Sequence, residues 1–259
     1  MSDVVERVPK TPSMRLDGKV AVVSGAGRGL GRAAAIALAE AGADTVLVSR
    51  TQAELEAVAG IISAGAGTAT PLVCDVTDTS QVTGSIGALE QIDILVNVAG
   101  TNFPEPLDIV TEDHYDRTMA LNVKATFMVS QAAARRMQAG GNGGAIINVS
   151  SQMGHVGAPN RTVYCASKHA VEGMTKAMAV ELAPQKIRVN SIGPTFILTP
   201  LTEPFFENQE FREDTLRRIP GGEVGEIEDV MGAVVFLASP AAALITGAAL
   251  AIDGGWTAW

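Results

Sequence analysis

The sequence predicts an α/β protein in which about seven parallel strands form one doubly wound sheet with helices on both faces. Short runs rich in β-branched apolar residues alternate along the chain with alanine-rich segments of helical spacing. Runs such as "AVVSG" and "ILVNV" are apolar at successive positions, as strands covered by helices on both sides require. Strands separated by helices pair in parallel through right-handed crossovers. No linker or repeat divides the 259 residues, so we expect one domain.

The strands are predicted from apolar runs that end at glycine, proline or polar residues. In order they are 19–25, 44–50, 68–76, 92–100, 143–151, 187–194 and 248–255. Ligands of an open α/β sheet bind at the carboxyl ends of its strands. The residues that follow each strand are therefore the candidates for a functional site.

The helices are predicted from apolar residues at helical spacing between these runs. They are 31–42, 53–65, 80–91, 111–139, about 160–183 and 227–239. Residues 1–15 form a polar extension without the apolar run of a signal peptide, and the folded domain is expected over 16–259. The segment at about 196–222 is expected to cover the substrate as a lid. Within it, Phe205, Phe206 and Phe211 form the lid's apolar inner face or contact another subunit.

Composition excludes several classes of function. Lys and Arg number 19 against 28 Asp and Glu, and this negative balance argues against binding to nucleic acid or to anionic membranes. No apolar stretch reaches the ~18 residues of a membrane span. Cys74 and Cys165 form no disulfide framework, which predicts a reduced, cytoplasmic setting. The three histidines have no ligand spacing, so no metal site is expected.

A glycine-rich turn, "SGAGRGLG", follows the first strand and opens the first helix. Such glycines let the backbone approach a pyrophosphate, and the helix terminus supplies amide donors and positive potential. A glycine-rich loop alone is a weak signal, but its place between strand and helix favours dinucleotide binding. The predicted contacts are Gly25, Gly27, Arg28, Gly29, Leu30 and Gly31.

Three motifs occur in a fixed order: Gly25-x-x-x-Gly29-x-Gly31, "NVAG" at 97–100, and Tyr164-x-x-x-Lys168. With them, the chain resembles the short-chain dehydrogenase/reductase family from about Leu16 to its end. The resemblance implies a seven-stranded Rossmann sheet and hydride transfer between a nicotinamide and a secondary alcohol or ketone. It also implies a homotetramer built through the two long helices.

The resemblance assigns catalysis to Asn122, Ser151, Tyr164 and Lys168. Tyr164 and Lys168 are four residues apart and share one face of a helix. We expect the ammonium of Lys168 to lower the pKa of the Tyr164 phenol from ~10 toward neutral pH, where the phenol acts as acid and base. In the family, the serine at position 151 holds the substrate oxygen, and the asparagine at 122 anchors a water that connects the lysine to solvent.

The resemblance assigns the remaining contacts to strand ends and the loops behind them. The further cofactor contacts are Asp75 and Val76 near the adenine, Asn97, Ala99 and Gly100 near its ribose, and Pro194, Ile197 and Thr199 near the nicotinamide. The substrate pocket is expected to contain Ser151, Gln152, Met153, His155 and Phe196. For His155, a solvent-facing position on its loop is the alternative. Ser24 replaces a usual threonine, and Thr195 replaces a common glycine.

The end of the second strand predicts the cofactor. An NAD enzyme of this fold places an acidic residue there to bind the ribose hydroxyls. Here the strand ends in Ser49 and Arg50, while Asp44 lies at its opposite end. We expect Ser49, Arg50 and Arg28 to hold a 2′-phosphate, which favours NADP(H) over NAD(H).

Two substrate classes and one non-enzymatic role are consistent with these motifs. A sugar, sugar acid, polyol or other small hydroxy or keto compound would use Asn102, Gln152 and His155. A 3-oxoacyl thioester on an acidic carrier would use a basic mouth, for which the candidates are Arg135, Arg136 and Arg161. An NADP-binding regulatory scaffold should lack part of the catalytic set, which is intact here. The terminal Trp256 and Trp259 are expected to be buried between subunits.

Overall fold

The computed structural model describes residues 8–199 and 202–258, and in this part of the chain seven parallel strands form one sheet. The strands are β1 Val20–Ser24, β2 Asp44–Ser49, β3 Ala69–Val73, β4 Ile94–Asn97, β5 Gly144–Val149, β6 Ile187–Pro194 and β7 Ala249–Ile252. Their spatial order is β3-β2-β1-β4-β5-β6-β7. The predicted strand number and parallel sheet are confirmed.

The sheet is doubly wound, with helices on both of its faces. The helices are α1 Gly29–Glu40, α2 Gln52–Ala64, α3 Thr79–Gly84, α4 Glu112–Met119, α5 Thr126–Gly140, α6 Thr162–Leu182, α7 Gln209–Arg218 and α8 Glu228–Ala238. One core lies between the sheet and α1, α2 and α8, and it includes Leu38 and Val234. The second core lies against α3, α5 and α6, and it includes Val129 and Met178.

Two predicted helices differ from the structure. The segment predicted as one helix at 111–139 has a wide π-type turn, Ala120–Ala125, between α4 and α5. The helix predicted at 80–91 ends at Gly84 and is followed by one 3₁₀ turn, Ile86–Ala88. Gly84, Ser85 and Gly87 weaken the helix there because glycine and serine favour other backbone conformations.

The chain reverses direction between β1 and β4. It runs outward from β1 to β3, and then returns to place β4 on the other side of β1. Val22 of β1 therefore faces Val46 on one side and Leu95 on the other. This reversal opens a crevice at the carboxyl edge of the sheet, where ligands of such folds bind.

The predicted lid consists of a 3₁₀ segment, Glu203–Glu207, and α7. The rings of Phe206 and Phe211 pack edge-on against Phe196, with centroids 5.9 and 5.3 Å away. Trp256 lies 6.0 Å from the same ring. The lid phenylalanines and Trp256 thus form one aromatic cluster within the chain, and the burial of Trp256 between subunits stays a prediction. Trp259 lies outside the described residues.

The described part of the N-terminal extension, residues 8–15, has no helix or strand and is exposed. Leu16 is the first buried residue, and its N–H donates to the Ala41 carbonyl at the end of α1. Among the described residues, we find no helix that is both long and apolar enough to cross a membrane.

Candidate active site

The glycine turn is pressed against the turn that follows β4. Gly25 has a φ of +72°, and a Cβ atom there would lie 2.9 Å from the backbone nitrogen of Ala99. The Ser24 hydroxyl accepts hydrogen bonds from the N–H groups of Val98 and Ala99, at 3.2 and 3.4 Å. Ser24 has the same hydroxyl as the threonine that is usual at this position, and this hydroxyl therefore holds the two turns together.

The glycine turn fits a pyrophosphate. Helix α1 begins at Gly29 without a side-chain cap and without an acidic residue in its first turn. Its first N–H groups and its positive dipole end therefore face the crevice without a competing group from α1 itself. The carboxylate of Glu54 lies beside Gly27, an acidic neighbour that the sequence analysis missed.

The end of β2 carries exposed positive charge and no carboxylate. Arg50 follows the strand and is exposed, and Arg28 is exposed at the start of α1. Ser49, the last residue of β2, accepts a hydrogen bond from the Thr51 N–H at 3.3 Å. Within the described ranges, neither arginine forms a salt bridge. Both guanidinium groups are thus available to an anionic ligand.

The contacts predicted near the adenine lie at the ends of β3 and β4. The Asp75 carboxylate accepts hydrogen bonds from the N–H and hydroxyl of Thr77, at 3.0 and 2.7 Å, and Val76 beside it is buried. Unlike Asp75, Asn97 has a buried side chain, which donates hydrogen bonds to the side chains of Ser130 and Asn148, each at 2.9 Å. Any contact of Asn97 with a cofactor is therefore through its backbone.

Gly100, predicted near the adenine ribose, lies next to Lys168, and the loop predicted near the nicotinamide returns to the glycine turn. A Cβ atom at Gly100 would lie 3.8 Å from the Lys168 ammonium nitrogen. Pro194 ends β6, Ile197 pairs with Gly225, and Thr199 lies against Gly29 of the glycine turn. The glycine turn, the turn after β4 and the loop after β6 are distant in the sequence but meet at the carboxyl edge of the sheet.

Thr195, on the same loop, replaces glycine without backbone strain. Its φ is not positive, and its N–H donates to the Ile252 carbonyl at 3.0 Å. The loop after β6 therefore reaches its position in a conformation that an ordinary L-residue adopts.

The residues predicted to be catalytic are positioned by β5, by α6 and by the turn between α4 and α5. Tyr164 lies in the first turn of α6, and the Lys168 ammonium lies 5.6 Å from the centre of its ring. Lys168 is 5% exposed and donates to the Val149 carbonyl at 2.8 Å. Ser151 follows β5 directly, donates to the Gln152 side chain at 2.7 Å and accepts the Met153 N–H at 3.1 Å.

Asn122 lies in the wide turn between α4 and α5 and ties three segments together. Its side-chain oxygen accepts from the Thr101 N–H at 2.8 Å, and its nitrogen donates to the Thr101 carbonyl at 2.9 Å. The same nitrogen donates to the Ser167 hydroxyl at 3.0 Å. Asn122 thus fixes the turn after β4 against α6, next to Lys168.

The expected direction of the Tyr164 shift is wrong for this structure. Burial raises the pKa of the Tyr164 phenol above its usual value, and the nearby Ser151 hydroxyl and Arg161 charge only oppose that rise. Burial also lowers the pKa of the Lys168 ammonium to about 8, against the attraction of Glu172. Desolvation outweighs attraction at both groups, although Tyr164 is half-buried and Lys168 is buried.

Glu172 is a charged group of this site that the sequence analysis missed. It is 5% exposed and follows Lys168 by four residues, the same spacing that separates Lys168 from Tyr164. One carboxylate oxygen accepts from the Ser191 hydroxyl at 2.7 Å, and the other lies 3.5 Å from the His155 ring. His155 therefore contacts α6 while its ring stays about one-third exposed, at 34%.

The residues predicted to line the substrate pocket lie at the carboxyl edge of the sheet, whereas two arginines predicted for a basic mouth lie at the amino edge. Gln152 and Met153 are buried behind Ser151, and Phe196 is half-buried in the aromatic cluster. Arg135 and Arg136 lie in the last turns of α5, which leads to the amino end of β5. They are therefore at the edge opposite Tyr164 and do not form a basic mouth with Arg161.

Comparisons with known proteins agree with this geometry. A family model described as enoyl-(acyl carrier protein) reductase matches residues 25–257. An L-xylulose reductase from Bos taurus is 40% identical over 245 residues, which cover 95% of this chain and 99% of that protein. A D-threitol dehydrogenase from Mycolicibacterium smegmatis is 40% identical over 248 residues, 94% of each chain.

A solved gluconate 5-dehydrogenase from Burkholderia cenocepacia, in complex with NADP and tartrate, is 35% identical. It superposes with a TM-score of 0.91 and covers 95% of this chain and 98% of its own. The chain belongs to the short-chain dehydrogenase/reductase family and is an oxidoreductase of that family.

Proposed function

We propose that this enzyme prefers NADP(H) and interconverts a secondary alcohol and a ketone in a sugar, sugar acid, polyol or related small compound. The observation that carries the proposal is the meeting of Ser151, Tyr164 and Lys168 beside the open glycine turn. When bound, the nicotinamide supplies or accepts the hydride.

The chain's own residues transfer the proton and bind the substrate oxygen. The buried Tyr164 phenol is protonated at neutral pH and gives its proton to the carbonyl oxygen during reduction. The Ser151 hydroxyl turns from Gln152 to donate to the same oxygen. Lys168, with Asn122 behind it, supplies positive charge next to the phenolate that remains.

The preference for NADP(H) is supported by the charges at the end of β2. Arg50 and Arg28 are exposed without acidic partners among the described residues, and no carboxylate ends the strand. The solved gluconate 5-dehydrogenase that this fold resembles was crystallised with NADP.

The substrate class is supported by the relatives, which reduce or oxidise sugar-type compounds according to their names. A 3-oxoacyl thioester is the second candidate, since the family description names a carrier-bound acyl thioester, there the enoyl rather than the 3-oxoacyl compound. The opposite placement of Arg135 and Arg136 disfavours it.

We further propose a cytoplasmic homotetramer. Cys74 and Cys165 are free and buried. Phe127 on α5 and Val180 on α6 are 41% and 78% exposed, and the two helices are the elements through which the family assembles. Sedimentation of the purified protein tests the tetramer.

Oxidation of NADPH should be followed with a panel of ketoses, keto acids and acetoacetyl-CoA, with Tyr164→Phe as the inactive control. We expect a ketose or keto acid to be the best substrate. Faster turnover of acetoacetyl-CoA would favour the thioester reductase, and NADPH binding without turnover of any compound would favour the regulatory scaffold.

A further inference from the structure

Arg161 is a buried cation at the edge of the catalytic site. It precedes Tyr164 by three residues and is only 9% exposed. Among the described residues, its side chain forms one hydrogen bond, from Nη1 to the adjacent Asn160 carbonyl at 3.2 Å. A buried guanidinium normally requires an anionic or hydrogen-bonding partner, because burial removes its hydration.

The partner of Arg161 is not found in the described part of the chain. No carboxylate of residues 8–199 or 202–258 forms a salt bridge with it. Glu105 is the acidic residue whose backbone comes near, since its N–H donates to the same Asn160 carbonyl. The Glu105 carboxylate instead contacts the His114 ring, at 2.9 and 3.0 Å.

The start of α6 adds further positive potential around Arg161. The helix has no side-chain cap and no acidic residue in its first turn. The guanidinium and the first amide groups of a 21-residue helix therefore occur together, without a negative counterpart from that helix. The guanidinium is also close enough to Tyr164 for their charges to interact.

We propose that Arg161 binds the carboxylate of the substrate, so that the enzyme acts on a hydroxy or keto acid of the aldonate type rather than on a neutral sugar. The proposal rests on the function proposed above. A planar carboxylate matches the donor geometry of a guanidinium, and pairing would satisfy the buried charge. The carboxylate would bind at the start of α6, while the alcohol or ketone carbon lies at Tyr164.

Matched substrate pairs test this assignment. Each aldonate has an alditol with the same carbon chain and CH2OH in place of the carboxylate, such as gluconate and glucitol, or threonate and threitol. The kcat/KM of each pair is measured with NADP+ for the wild type, Arg161→Gln and Arg161→Lys. Arg188→Gln, which removes a half-buried arginine near the amino end of β6, is the control.

We expect the wild type to prefer the acid of a pair. Arg161→Gln should reduce that preference about ten- to a hundred-fold, the effect of losing a charge-assisted hydrogen bond, mainly through KM. Arg161→Lys should retain part of it, and the alditol rates and the Kd for NADPH should not change. Equal losses for both members of a pair, or a wild type without preference for the acid, would overturn the proposal.

A binding measurement separates this proposal from the proposed function. Calorimetry of aldonates with the NADP+-loaded enzyme requires no turnover. Aldonate binding that disappears in Arg161→Gln, in an enzyme that oxidises no sugar-type compound, would support the carboxylate site and contradict the proposed reaction. Aldonate binding that is equally strong in Arg161→Gln, or absent from the wild type, would overturn the carboxylate site.

Discussion

The cofactor half and the catalytic half of the crevice carry their positive charge in opposite ways. At the ends of β1 and β2, Arg28 and Arg50 are exposed to solvent. At β5 and α6, Lys168 and Arg161 are 5% and 9% exposed. Exposed charges are hydrated and screened by salt, so they adjust the affinity of a ligand. Buried charges have lost their hydration, so small changes around them alter protonation and chemistry.

The two halves also differ in what defines their shape. The cofactor half is built from backbone: the turn at Gly25, the amide groups that open α1, and the Ser24 hydroxyl that joins two turns. The catalytic half is built from side chains that hydrogen-bond one another across β5, β6 and α6. Substitutions in the catalytic half should therefore have larger effects on kcat, and those in the cofactor half on cofactor affinity.

Among substitutions of charged residues in the two halves, replacing the buried Lys168 should have the largest effect. Lys168→Met keeps the length of the side chain and removes its charge. We expect kcat to fall by at least ~10²-fold, the lower range for a group that assists proton transfer. Lys176→Met, which removes an exposed lysine from the same helix, is the control and should leave kcat unchanged. Comparable losses in both variants would contradict the distinction between buried and exposed charge.

Reversing an exposed charge in the cofactor half should change specificity rather than turnover. In Arg50→Asp, the ratio of kcat/KM for NADPH to that for NADH should fall about ten- to a hundred-fold, since a charge-assisted bond to the 2′-phosphate is lost. The kcat at saturating NADPH should persist. Arg32→Asp, an exposed arginine on α1, should have little effect. A wild type that prefers NADH would contradict the assignment of Arg50.

The pKa of Lys168 predicts a pH dependence. Burial lowers this pKa from its usual 10.5 to about 8, so the ammonium is present below that pH and is lost as the pH rises through it. The kcat/KM for ketone reduction should therefore fall above about pH 8.

Glu172 provides the control for this pH dependence. The carboxylate raises the pKa of Lys168, so Glu172→Gln should move the fall in kcat/KM to lower pH. Measuring kcat/KM for the same ketone as a function of pH gives the midpoint of the fall for the wild type and for Glu172→Gln. An unchanged or higher midpoint in the variant would exclude Glu172 as an influence on Lys168.

The smallest effect is expected at the lid. Trp256 contacts Phe196, and the Arg218 guanidinium lies 5.9 Å from its ring. An aromatic pair contributes ~0.5–1.5 kcal/mol, so Trp256→Ala should raise the substrate KM by roughly two- to ten-fold. Sedimentation should show the same assembly as the wild type. A smaller assembly with an unchanged KM would instead place Trp256 at a subunit contact.

The sequence predicts the fold well because strand runs, glycine turns and helix spacing are local signals. The seven strands and the positions of Ser151, Tyr164 and Lys168 follow from such signals and from the family resemblance. The wide turn at Asn122 does not, because bonds to Thr101 and Ser167, from two other segments, hold it. The inward direction of Asn97 likewise depends on partners from neighbouring elements.

Burial of charge is the other property that the sequence does not reveal. The sequence alone does not distinguish Arg161 from Arg135 and Arg136. In the structure, α5 places Arg135 and Arg136 at the opposite edge of the sheet, whereas Arg161 is buried next to Tyr164. The rise in the pKa of Tyr164 was also missed for this reason. Residue spacing shows that Lys168 is near, but only packing shows how much water both groups have lost.

The most direct test of the account is the turnover of Tyr164→Phe with NADPH binding measured in the same preparation. This change keeps the ring and removes the hydroxyl that we propose as the proton donor. We expect kcat to fall by ~10²–10⁴-fold while the Kd for NADPH stays near the wild-type value. Near-normal turnover in this variant would contradict the account, because the proton would then come from another group.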